Sequence, residues 1–153
     1  MLSIFIKIIG VYIATLCFGI LINVQPRSLN LCAVVGVLGY LSYVVNNMIF
    51  GGYISGSFAG AIAIGVFGMI AARYKKTPVI VFSIPGLVPL VPGGQAYQVM
   101  KNIALGNTSL ALSYLNQVMM IAGAIALGFL FAELIIQVYN RIEKYIKLKK
   151  LEQ

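Results

Sequence analysis

Few side chains in this sequence can carry chemistry, and their scarcity already narrows what the chain does. It has no His, and its three acids are Glu133, Glu143 and Glu152. A Ser-His-Asp triad, a His-rich metal site or an aspartate dyad cannot be built from that set. Cys17 and Cys32 fall inside apolar runs and read as small hydrophobes, not as a disulfide or a metal pair. No G-x-x-x-x-G-K-[ST] phosphate cradle is present. The reading is therefore not an enzyme, with no metal and no cofactor. The remaining chemistry belongs to the backbone, in the stretch from Thr77 to Gly106. Pro78, Pro85, Pro89 and Pro92 stand there with Gly86, Gly93 and Gly94, all within 17 residues. A proline in a helix interior removes a donor and clashes one turn back, at roughly 3 kcal/mol each. Residues preceding proline avoid the helical region, so Pro85 to Gly94 is expected to be extended or irregular. Pro78 suits the opening of a first half-helix. A second half-helix is expected to restart at Gly93-Gly94 and run to about Leu105. Its first N–H groups and the positive end of its dipole would face a carboxylate, with Gln95 and Tyr97 adding hydrogen bonds. Glycine there permits close backbone approach.

Other polar groups lie in apolar surroundings. Glu133 is the one acid inside an apolar run, which makes it a candidate for proton coupling. A purely structural role, pairing with Arg141 or with a partner's cation, stands beside it. Gln137 and Asn140 share its helical face and could form a polar seam. Asn46 and Asn47 read as helix-end residues. Ser83 reads as bonded to its own helix backbone. Tyr12, Tyr40 and Tyr43 read as packing or interface residues, and Lys7 as a snorkelling cation.

The elements that must position these groups are transmembrane helices. Hydrophobic residues make up 61% of the chain and charged ones 9%, with a mean hydropathy of +0.99, far from a soluble composition. The fold class expected is an all-α integral membrane protein forming a single domain over residues 1–153. It has about five spans, at 3–24, 29–50, 53–72, 77–105 and 110–139, the fourth broken by the proline-glycine stretch. Residues 25–28 are expected as a loop, and 140–153 as a basic tail suited to an anionic leaflet. In hydrocarbon every freed N–H and C=O needs a partner, so a broken span must be covered by protein or lined by water. In the third span Ser57, Ala61, Gly65, Gly68 and Ala72 recur at spacings of four, four, three and four, a stripe that admits a neighbouring backbone. Ala124, Gly128 and Ala132 make a second such face.

The charge excess of +8 flanks the apolar runs instead of forming a basic groove, which argues for topology and against a nucleic-acid partner. If the broken stretch crosses, nine basic residues share one side against Lys7 and Lys101 on the other. A re-entrant hairpin would divide them six against five. The positive-inside rule favours five crossings, with the N-terminus outside and the C-terminus cytoplasmic.

The run I-P-G-L-V-P-L-V-P-G-G-Q-A-Y, Ile84 to Tyr97, resembles the proline-glycine motif of the threonine/serine exporter family. Length, span count and the lack of a soluble domain resemble its small, YjjB-like half-subunit. The resemblance implies a multi-pass protein of a prokaryotic plasma (inner) membrane that exports small amino or carboxylic acids, threonine and serine or a dicarboxylate such as succinate. It implies a larger second half-subunit as partner. It also implies a substrate site at Pro85, Gly86, Pro89, Pro92, Gly93 and Gly94. Five helices are too few to enclose a pathway, so a partner half or copies of the same chain are expected. The alternative is a non-transporting membrane scaffold that stabilises a larger partner.

Overall fold

The computed structural model describes residues 2–151; the last two residues of the basic tail lie outside it. Six α-helices follow one another: α1 (Leu2–Leu21), α2 (Pro26–Phe50), α3 (Tyr53–Lys75), α4 (Ile80–Leu87), α5 (Gly93–Ala104) and α6 (Thr108–Leu151). A 3-10 turn, Val88–Leu90, joins α4 towards α5. Four helices are long and apolar enough to span a membrane, and a fifth span results if the bent pair α4–α5 is one. The chain is an all-α membrane protein.

Pro26 sits in the first turn of α2 and not in a loop, because a helix's opening turn has no use for the missing N–H and its fixed φ is already helical. At the other end Gly51 takes a left-handed conformation (φ 60) and donates its N–H to the Asn47 carbonyl, while Gly52 donates to Asn47 Oδ1 at 2.9 Å. Asn47 thus ends α2 through both its carbonyls.

The small-residue stripe of α3 is spent inside the chain. Ser57, Ala61, Gly65, Gly68 and Ala72 are all buried. A Cβ on Gly128 would lie 2.6 Å from Ala61 Cβ, and one on Gly65 would collide with Ala132. Arg73 Nη2 donates to Asn140 Oδ1 further along. These pairs keep one offset of 67 residues, so α3 and α6 run parallel and in register. The opposite face of α3 meets α2 antiparallel: Gly56 lies against Tyr43, and Ser42 Oγ donates to the Ala59 carbonyl at 3.2 Å.

Between these parallel helices α4 must run back, and it does. Its path along α3 passes Gly68 beside Phe82 and Ser83, then Ile64 beside Gly86, then Gly60 beside Leu90. Phe82 and Pro85 are fully buried and Leu90 nearly so, which puts this segment in the core among α1, α2 and α3. α1 covers it from outside, seating Thr15 in a notch where a Cβ on Gly36 would lie 2.6 Å from Thr15 Oγ1. α6, at 44 residues, is about 66 Å long, twice the hydrocarbon thickness.

Candidate functional site

The break is narrower than the proline count predicts. Pro85, Gly86 and Leu87 continue α4, Val88–Leu90 tightens into the 3-10 turn, and extended backbone begins only at Val91 (φ −62, ψ 131). This corrects the expectation of irregular backbone from Pro85 onward. The helix survives Pro85 because the carbonyl one turn back, at Val81, receives the Cys32 thiol of α2 at 3.2 Å. A neighbouring helix has replaced the donor that proline lacks. Burial of Phe82, Pro85 and Gly86 against α2 and α3 then outweighs local propensity. Ser83 Oγ bonds its own helix backbone, to the Val79 carbonyl at 3.2 Å.

At Pro92 (ψ 53) the chain turns, and α5 leaves at 54° to α4. Gly93 donates its N–H to Val91 and Ala96 to Pro92. Among the described residues the N–H groups of Gly94 and Gln95 have neither a backbone nor a capping partner.

The turn opens on a cavity of about 530 Å³. The break supplies Pro89, Pro92 and Gln95 to its wall. α2 contributes Tyr40, Tyr43 and Asn47, α3 contributes Tyr53 and Ser57, and α1 contributes Lys7. Tyr40 and Tyr43 stack with ring centroids 6.1 Å apart. The cavity lies within the first turns of α3, near one end of the bundle and not midway along it.

The eight residues singled out in the sequence therefore part company. Pro89, Pro92 and Gln95 line the cavity, whereas Pro85 and Gly86 are core residues. A Cβ on Gly86 would meet the Ile64 and Val35 side chains at 3.2 and 3.3 Å, so its lack of a side chain serves close packing against α2 and α3. Gly93 and Gly94 border the turn but face open space, with nothing within 4 Å of an added Cβ. Tyr97 is exposed on α5, away from the cavity wall. Lys7, Tyr40 and Tyr43, read from the sequence as interface or packing residues, join the wall instead. No local pattern signals that, because the cavity draws on positions separated by the whole length of three helices.

Glu133 occupies a different place. It borders a groove of about 430 Å³ between α6 and α4, with Ser83, Val79 and Gln137. Gln137 Nε2 donates to Glu133 Oε1 at 3.4 Å, while Arg73 turns to Asn140. Among the described residues no group of His, Cys, Asp or Glu side chains is placed to hold a metal ion.

Comparison with known proteins agrees with this architecture. The family model described as threonine/serine exporter, ThrE, matches residues 7–135. An uncharacterized protein of Haemophilus influenzae is 29% identical over 84 residues, covering 54% of this chain. That match takes in 28% of the relative's own length, so the chain spans well under two thirds of it. No solved structure matches the chain. With residues 7–135 matched, far more than half of its length, the chain belongs to the threonine/serine exporter family.

Proposed function

We propose that the chain is the small half-subunit of a secondary transporter in a prokaryotic plasma membrane. It exports small amino or carboxylic acids, threonine and serine or a dicarboxylate such as succinate, beside a larger half-subunit of the same family. Substrate meets the chain at the broken segment. The observation that carries this reading is the turn at Pro92, where two unpartnered N–H groups and the Gln95 side chain adjoin a cavity bounded by α1, α2, α3 and α6. Broken backbone at a helix restart, facing a cavity, is the arrangement transporters use for anionic substrate groups.

The chain crosses five times, with the N-terminus outside and the C-terminus cytoplasmic. The parallel register of α3 and α6 supports this, since the intervening segment must then traverse the bundle once. Glu133 serves proton coupling at the other end of the path, where the groove beside Ser83 gives its carboxylate a polar neighbourhood within an apolar helix. Large apolar side chains remain exposed around the bundle, including Phe50, Ile70 and Met100, and lipid and the second half cover them.

The test is efflux of labelled succinate, serine and threonine from vesicles holding this chain alone or with a large half-subunit. Efflux requiring both chains supports the half-transporter. Efflux from this chain alone makes it a homo-oligomeric carrier. No efflux in either case favours the scaffold.

A further inference from the structure

The polar groups around the cavity are unbalanced. Among the described residues none that lines it is acidic, and Lys7 is the one cation. Asn47 has already committed its side-chain oxygen to the Gly52 N–H, so what it offers the cavity is its amide N–H pair. Ser57 has committed its hydroxyl proton to the Tyr53 carbonyl at 2.7 Å. Among its described lining residues the cavity therefore presents one ammonium, the Asn47 amide N–H pair, the Gln95 amide and tyrosine hydroxyls, with no carboxylate to compete for the ammonium. Lys7 itself is placed against a general rule. It lies at the bundle end opposite Arg73, Lys75 and Lys76, away from the basic loop that sets topology. An anion in the cavity would compensate its charge.

We infer that Lys7 is the carboxylate-recognising residue of this cavity, its ammonium holding the substrate's carboxylate while the Asn47 amide donates to the same group. The inference rests on the exporter reading and gives it a side chain on α1, far in sequence from the proline-glycine motif. A carboxylate accepts from several donors at once, and a charged hydrogen bond of this kind is the strong kind.

The test is equilibrium binding of radiolabelled succinate and serine to the full-length chain, co-purified with the large half-subunit in nanodiscs. Lys7→Gln is expected to weaken both probes about ten- to a hundredfold, the loss of one charged hydrogen bond. Lys7→Arg keeps the charge and should stay within a few-fold of the native chain. Native binding should also weaken as salt rises, while binding to Lys7→Gln should lose that dependence. Lys7 is exposed, so the variants are expected to fold; an unchanged thermal midpoint checks this. Unaltered affinity in Lys7→Gln overturns the inference. So does an absence of saturable binding by the native complex. If that complex still exports substrate, the exporter reading stands with its site elsewhere; if it neither binds nor exports, both fall.

Discussion

Pro85 and Cys32 make a pair whose energetics can be worked through. Proline at position 85 deprives the Val81 carbonyl of its helical donor, and the Cys32 thiol supplies a replacement at 3.2 Å from a fully buried position. Cys32→Ala removes that donor and a sulfur atom together. A buried carbonyl left unpaired costs about 1–3 kcal/mol, and a thiol, being a weak donor, belongs at the lower end. The small void left by the sulfur adds about 1 kcal/mol. The total expected loss is about 2–3 kcal/mol. In a Pro85→Ala background the helix regains its own N–H for Val81, so Cys32→Ala should then cost only the void. The coupling energy between the two positions is expected at about 1–2 kcal/mol, and Cys32→Ser, which keeps a donor, should lose less than Cys32→Ala. The assay is reversible unfolding in mixed micelles for the four members of the cycle, with the void at position 85 cancelling between its two arms. Additivity of the two substitutions within about 0.3–0.5 kcal/mol would refute the reasoning.

Gly128→Val should destabilise the α3–α6 contact by about 1–3 kcal/mol or abolish folded protein, since its Cβ would lie 2.8 Å from the Phe58 carbonyl; Gly123→Ala on the same helix meets nothing and should be neutral or slightly stabilising, both read by thermal denaturation in detergent. Glu133→Gln should leave stability within about 0.5 kcal/mol, because the side chain is exposed, but should remove the dependence of efflux on an imposed pH gradient. Reporter fusions should place the C-terminus in the cytoplasm and the N-terminus outside; termini on the same side would mean that α4 and α5 form a re-entrant hairpin.

The architecture was legible to different depths along the sequence. The restart of the helix at Gly93 could be read directly, because Pro92 prevents continuation and two glycines follow it. The helical state of Pro85 could not, since it depends on a thiol 49 residues away from the carbonyl it serves and on burial among α2 and α3. The α3 stripe announced close packing, but only the fold shows it packed within the chain, Ala61 and Gly65 against Gly128 and Ala132 of α6 and Gly68 against Phe82 and Ser83 of α4. The motif residues pointed to the broken segment, yet only Pro89, Pro92 and Gln95 of the eight line its cavity. The wall opposite them comes from α1, α2 and α3, where tyrosines and a lone lysine carry no spacing that marks a site.

Substitution of Gly93 or Gly94 by Val tests most directly whether substrate meets the chain at the break. An added Cβ at either position touches nothing within 4 Å, so folding and assembly with the large half should survive. The measurement is efflux of labelled substrate by the assembled variant against the native complex. A site at the turn requires that efflux be lost while assembly is intact; efflux at the native rate would contradict it.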